Sequence, residues 1–339
     1  MARLRQYIAR GMWGATIGAG IVGCGQVDHG TPAATWCTEE AVAEVTITQR
    51  REDGVLVDDT IVLTDAEDRI LVEVLAASAG PYSQRTNYTL DESGNVVEEA
   101  VDQGADGSID GLSTTTYDSE NRPATAVLDS DNDGTVDAAI TWDYATEGEV
   151  RMLYDRDGGA DTIYIASYSE EGELIREEFD RDGDGTADSV KTYSYTSTGL
   201  LSEETEDENA DLIPESITSY IYDDHDRLEL EQVVFDDAES RQNRLLTFDY
   251  DDAGLLVTTT TDLEIDGEVD EITTYTYDRE SRLVRAEGRN PVFEEVTSVT
   301  EYEYANGEAP IRISHDVSGD GIVDIVVTTT ACETSGSPS

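Results

Sequence analysis

Basic residues are scarce in this 339-residue chain: 21 Lys plus Arg stand against 76 Asp plus Glu, a formal net charge of -55. Such a field repels polyanions, which excludes nucleic acid as a partner. Three His and three Cys are too few and too scattered for most metal-hydrolase or thiol-redox chemistry. Phe and Trp are also rare, four and three beside 17 Tyr, and Tyr suits a half-wetted sheet face better than a dry globular core. A hydrophobic fraction of 38% with 29% charged residues would alone suggest disorder. Order has to come from pattern.

The first residues read as an address. Arg3, Arg5 and Arg10 precede an uncharged, mostly apolar run from Gly11 to Gly23, and Cys24 follows. That run is shorter than the ~20 residues a spanning helix needs. Ile21-Val22-Gly23-Cys24 resembles the lipobox of bacterial lipoproteins, in which the Cys is acylated and becomes the new N-terminus. The resemblance implies lipidation at Cys24, a signal peptide over 1–23 and, with Gly25 next, an outer-membrane or cell-surface location. The alternative is an ordinary secretory leader with Cys24 incidental; both export the protein. Residues 24–38 then read as a tether and 333–339 as a frayed tail. The residues between, 39–332, form the expected domain.

Within that domain, repetition dominates. An aromatic pair precedes a turn in Trp142-x-Tyr144, Tyr193-x-Tyr195, Tyr220-x-Tyr222, Phe248-x-Tyr250, Tyr275-x-Tyr277 and Tyr302-x-Tyr304. Tyr88, Tyr117 and Tyr168 are assigned to the same register, and Thr64 with Ile70 reads as a worn earlier copy, which makes ten turns about 27 residues apart. Each interval reads as two short strands. In Ile272 to Tyr277, for example, Thr273, Tyr275 and Tyr277 share one face. The turns Tyr277-Asp278-Arg279-Glu280-Ser281-Arg282-Leu283 and Tyr250-Asp251-Asp252-Ala253-Gly254-Leu255-Leu256 resemble the Tyr-Asp-x-x-Gly-Arg-Leu core of the YD repeats of RHS proteins. That resemblance implies antiparallel hairpins in a continuous sheet. The expected fold is all-β: tandem hairpins of about 27 residues stacked into a curved or spiralling sheet.

The far end of each hairpin carries acidic loops. Asp129-x-Asp131-x-Asp133-Gly134-x-x-Asp137 and Asp180-x-Asp182-x-Asp184-Gly185-x-x-Asp188 are complete copies of one nine-residue pattern. Three further copies vary at the third position: Asp102, Gly104, Asp106, Asp110; Asp262, Glu264, Asp266, Asp270; and Asp316, Ser318, Asp320, Asp324. Alternate carboxylates in a tight loop with a Gly can build an oxygen cage of calcium type. The loops resemble the calcium-binding hairpin loops of integrin α-subunit propellers, which implies Ca2+ as cofactor. Acidic solvent turns are the alternative reading, against which stands the constancy of Asp at positions one, five and nine.

No His has a Ser or Cys partner that spacing picks out, so the chain reads as non-enzymatic. The expected function is that of an envelope-anchored, calcium-stiffened adhesin or scaffold module, touching the membrane through its lipid alone and taking a protein or glycan ligand. A YD-type shell or delivery-associated protein is the runner-up, and a carbohydrate-active enzyme the less favoured third. Cys37 and Cys332 bracket the repeats, and export allows them to pair. Such a bond would require the first and last strands to meet; free or intermolecular thiols at open ends are the rival.

Overall fold

The structure, a computed structural model, describes residues 42–332 apart from 53, 54, 78–82, 157–160, 237–241, 306 and 308. Cys24, Cys37, the leader and the tail lie outside the described residues. Among the described residues all regular structure is strand: β1 (Glu44–Glu52), β2 (Val55–Thr64), β3 (Ile70–Ala77), β4 (Gln84–Leu90), β5 (Val96–Gln103), β6 (Gly111–Tyr117), β7 (Pro123–Asp129) and β8 (Ala138–Asp143). Next come β9 (Glu149–Arg156), β10 (Thr162–Tyr168), β11 (Leu174–Asp180), β12 (Ser189–Tyr195), β13 (Leu201–Asp207), β14 (Ser216–Tyr222) and β15 (Leu228–Phe235). The chain finishes with β16 (Arg244–Tyr250), β17 (Leu256–Leu263), β18 (Glu271–Tyr277), β19 (Leu283–Asn290), β20 (Glu295–Glu303), β21 (Arg312–Asp316) and β22 (Ile325–Ala331).

Every strand pairs antiparallel with the next, and β22 returns to pair with β1 along Glu44↔Ala331 to Arg50↔Ile325. The expected curved or spiralling sheet is therefore a closed 22-strand ring. The physical cause of closure sits in the turns. At Asp223, for instance, the Asp223 N–H donates to Arg227 O and the Asp226 N–H to Asp223 O, at 2.9 and 3.0 Å. Residue 226 takes φ +59°, and the register slips between Ile221 and Tyr222. This is a tight turn followed by a bulge, which bends and twists the sheet. The device recurs with Asp68, Asn121 and Ser281 at φ 59–64° and with Gly94, Gly199 and Gly254 at φ 80–83°. A Gly position in the repeat therefore tolerates Asp, Asn or Ser, residues that reach the left-handed region at modest cost. The same turns correct one assignment: the residue at the bulge in β4 is Leu90, paired with Val96, so Tyr88 stands two residues early.

Twenty-two strands ~4.8 Å apart make a ring roughly 34 Å across or wider when tilted, too wide for side chains to fill. The two faces of the wall differ. On the face that carries the tyrosines, Ala126, Leu128, Ala138, Met152, Ala166 and Val233 are buried; on the other, Val127, Ile217, Ile221 and Val234 are 36–52% exposed, although the β1–β3 aliphatics and Ala100, Val190 and Val326 there are buried. Side chains converge and shade one another on the concave side of a ring, so the tyrosine face is the inner one.

Candidate functional site

The two rims have different chemistry. At one rim lie the ten turns, eight of them bulged, and both ends of the ring, β1 entering and β22 leaving. Seven tyrosine hydroxyls here donate to a backbone carbonyl on the adjacent strand: Tyr117 to Val96, Tyr144 to Pro123, Tyr195 to Leu174, Tyr222 to Leu201, Tyr250 to Leu228, Tyr277 to Leu256 and Tyr304 to Leu283, at 2.7–3.0 Å. Each bond closes the open end of a hairpin whose ladder has already stopped. The guanidiniums of Arg122, Arg227 and Arg282 lie 4.1–4.6 Å from the ring centroids of Tyr144, Tyr250 and Tyr304 in the following turn, cation–π contacts that tie turn to turn. Arg227 also bonds Asp223, which together with backbone N–H donors holds that carboxyl down at about 2. Sequence reading missed this ladder. Its signal was present in the constant interval of 21 residues, once 22, from each Tyr back to its acceptor.

The opposite rim carries the acidic loops, and the structure gives each carboxylate a place. The first Asp accepts two backbone N–H groups: Asp129 from Asp133 and Gly134 at 3.0 and 2.8 Å, and Asp180 from Gly183 and Gly185 at 2.7 and 2.8 Å. Asp102, Asp262 and Asp316 do the same, as does Asp207, from Asp211 and Leu212, in a similar loop where Leu212 stands in the Gly position. The fifth residue caps the loop's own backbone: Asp106 accepts from Ser108, Asp133 from Thr135, Asp184 from Thr186, Asp266 from Glu268 and Asp320 from Ile322. The ninth reaches back to the residue after the first: Asp110 to Gln103, Asp137 to Ser130, Asp188 to Arg181, Asp270 to Leu263 and Asp324 to Val317, at 2.6–2.8 Å. The constancy of positions one, five and nine thus has a backbone cause that needs no ion.

Position three is different. Asp131 and Asp182 accept only long bonds, 3.3 and 3.2 Å, from the N–H two residues on. Where position three is Asp, three carboxylates converge: oxygens of Asp129, Asp131 and Asp137 lie within 4.8 Å of one another, as do those of Asp180, Asp182 and Asp188. Asp133 and Asp184 point away into their caps and do not join these groups. Among the described residues no other copy gathers three acids so closely. Hydrogen bonds from the Ser130 hydroxyl and backbone N–H hold the Asp137 carboxyl below the usual range, and those from Thr186 do so for Asp184. At Asp316 burial opposes ionisation, yet backbone donors from Gly321 and Gly319 hold the carboxyl low.

Between the rims the inner face bears a Tyr–Glu belt. Glu177 accepts from both Tyr164 and Tyr193, and Tyr88 faces Glu99 across β4–β5. Burial, then repulsion from Glu73, pushes the Glu99 carboxyl up. Burial also raises Glu204, against the opposing pull of Lys191. His315 shares a 2.8 Å bond with the Thr300 hydroxyl, and His225 sits in a bulged turn.

No family model matches the chain, and no curated protein matches it. Among solved structures, TcdB2-TccC3-TEV is similar at a TM-score of 0.36 and 16% identity, over 77% of this chain and 15% of that one. The Tc holotoxin pore of Photorhabdus luminescens gives 0.36, 15%, 77% and 15%. A porin-like protein from Bacteroides uniformis gives 0.34 and 10%, over 86% of this chain and 97% of that one. The chain spans about 15% of the Tc proteins it matches. Likeness at this level carries no function.

Proposed function

We propose that the chain is an exported, lipid-anchored, non-enzymatic β-ring that serves as a binding or structural module at the membrane surface, with Ca2+ held at the Asp129 and Asp180 loops stiffening its outer rim. The convergence of three carboxylates at just those two loops carries the calcium part. In this reading Asp131 and Asp182 are the ligands whose main business is the ion, and the remaining loops hold themselves by backbone caps.

The wall suits standing in water. Seventeen of the 22 strands are seven or eight residues long, roughly 23–26 Å before tilt, whereas strands that cross a bilayer run to ~9–11 residues and carry an apolar outer band. Here the outer face bears Arg285, Glu287 and Arg289, paired at 2.6 Å through Glu287. Membrane contact then falls to the acyl chain at Cys24. Residue 42 enters at the tyrosine rim, so the aspartate rim faces away from the lipid and is the surface offered to a protein or glycan partner. The enclosing wall favours a second reading, a YD-type shell around a cargo, and the inner glutamates would suit a basic one.

Calorimetric titration of residues 25–339 with CaCl2 tests the calcium reading. Two sites are expected in the range of extracellular modules, ~0.1–1 mM, falling to one in Asp131→Ala and one in Asp182→Ala, with MgCl2 giving little heat. Unchanged heats in both variants would refute it.

A further inference from the structure

The inner face of the wall is chemically unlike the outer one. Among the described residues every strand tyrosine lies on it, as do Trp142, Phe179 and Phe248, while the outer face of the strands carries no aromatic ring. Glutamates join the tyrosines there in a fixed order. Across β11 to β15, Glu177, Tyr193, Glu204, Tyr220 and Glu231 follow one another strand by strand. Tyr193 opposes Glu204 and Tyr220 opposes Glu231, and the Tyr193 hydroxyl donates to Glu177. Glu204 opposes Thr218, two residues from Tyr220 on the same face, which makes it a diagonal neighbour of that ring. Burial, then the charges of Glu204 and Glu231, push the Tyr220 hydroxyl up. The same order recurs on β3 to β5 as Glu73, Tyr88 and Glu99. Tyr88 opposes Glu99, with Glu73 diagonal to it on the other side, and burial, Glu99 and Glu73 push its hydroxyl up.

Charge on this face is unbalanced. On the inner side of β11 to β16, Glu177, Glu204, Glu206, Glu229 and Glu231 meet two cations, Lys191 at 3.2 Å from Glu206 and Arg244 at 3.0 Å from Glu231. On the strands from β3 to β8 the inner side holds Glu73 and Glu99 with no Lys, Arg or His. A divalent ion does not match the tracks, because successive glutamates stand two strands apart, about 10 Å along the wall, with a ring between them. The groups of three acids that do converge lie in the loops instead. An extended polypeptide gains little either. The sheet is closed, so the inner face offers no unpaired N–H or C=O for its backbone. The complement of carboxylate alternating with ring is an unbranched chain in which cations alternate with methylenes.

We propose that the Glu–Tyr–Glu tracks of the inner face bind a linear aliphatic polyamine, its ammonium groups on the glutamates and its methylenes across the tyrosine rings. Each ammonium makes a charge-assisted hydrogen bond to a carboxylate and a cation–π contact with the ring beside it. Alternation, rather than total negative charge, is the recognition element. The tracks lie apart from the aspartate rim, and the inference does not depend on calcium.

Calorimetric titration of residues 25–339 with spermine in calcium-free buffer tests it. Glu203 and Glu204 are adjacent in the chain but lie on opposite faces of β13, so Glu203→Gln and Glu204→Gln remove the same charge from outside and inside. Glu204→Gln should weaken spermine about tenfold, and Glu203→Gln less than about twofold. Tyr220→Leu should weaken it several-fold, whereas Tyr220→Phe, which keeps the ring, should bind as the parent does. Equal losses in Glu203→Gln and Glu204→Gln would reduce the binding to the diffuse pull of an acidic protein and overturn the proposal, as would parental affinity in Tyr220→Leu. An acetylated tetralysine amide of equal charge that binds more tightly than spermine, with the same dependence on Glu204, would assign the tracks to a polypeptide and overturn it as well.

Discussion

Removing one hydroxyl from the tyrosine rim measures what the ladder contributes. Between β13 and β14 the last registered pair is Glu203↔Ser219. Residues 220–222 lie beyond it, so the 2.8 Å bond from Tyr222 to Leu201 O is what ties this hairpin end. Tyr222→Phe keeps the ring, its packing and the turn, and deletes only that bond. An intramolecular hydrogen bond of this kind contributes about 1 kcal/mol net, more where its partner is left buried and unpaired. In a domain of this size that is a fall in Tm of a few degrees. Tyr117→Phe, Tyr222→Phe and Tyr304→Phe sit far apart and should add to about 3 kcal/mol in the triple variant. Urea unfolding followed by circular dichroism reads the loss as a lower midpoint at unchanged slope. Tyr275→Phe is the internal control, because its hydroxyl makes only a 3.3 Å contact with Thr259, and its cost should stay under about 0.5 kcal/mol. Equal losses at positions 222 and 275 would show that the hydroxyl ladder is ornament and that stability lies in the strands alone.

Four further outcomes follow from other parts of the ring. In 2 mM CaCl2 the chain should gain about 1 kcal/mol per site over chelator for a dissociation constant near 0.3 mM, beyond matched NaCl, and Asp131→Ala and Asp182→Ala should each forfeit one site's share of the Tm rise. Glu99→Gln should raise Tm at pH 7: the folded-state carboxyl is pushed up by burial and Glu73, so its ionisation opposes folding at neutral pH, and the gain should vanish below pH ~4, where the unfolded glutamate is also protonated. Asp223 is held down at about 2, first by Arg227, so its contribution is present above the ordinary Asp value of ~3.9 and is lost as pH falls toward 2; Arg227→Ala should flatten that part of the acid-unfolding curve. Gly134→Ala meets nothing within 4 Å and suffers only from φ +90°, about 1–2 kcal/mol. Gly319→Ala adds a Cβ 2.2 Å from Val296 O at φ +71° and should lose clearly more in the same urea assay.

Strand content, the antiparallel hairpins and the ten turns were legible in the sequence because one repeated residue pattern fixes one repeated geometry. Tyr277-Asp278 and Leu283 announced the bulged turn that the backbone adopts. Closure was not legible. It depends on how much twist each bulge adds, a quantity that eight bulged turns accumulate and no single turn displays. Tyr88 misled for a related reason: an aromatic two residues before Leu90 imitates the anchor, and only the register separates them. At the acidic loops constancy at positions one, five and nine reads as coordination, and backbone caps call for the same residues at the same spacing. Side-chain hydrogen bonds to the main chain leave the same sequence trace as metal ligation. The residues that tell the two apart, Asp131 and Asp182, are the variable ones.

Closure of the ring is tested most directly at its seam. Thr46 and Thr329 are directly opposed across β1 and β22, their hydroxyl oxygens 3.4 Å apart, and opposed Cα atoms in antiparallel pairs lie within disulfide range. In a Cys37→Ser, Cys332→Ser chain beginning at residue 25, cysteines placed at 46 and 329 should oxidise within the monomer to near completion, as intact mass under non-reducing conditions would show. Two free thiols, or linkage only between molecules, would mean that the first and last strands do not meet and that the sheet is open.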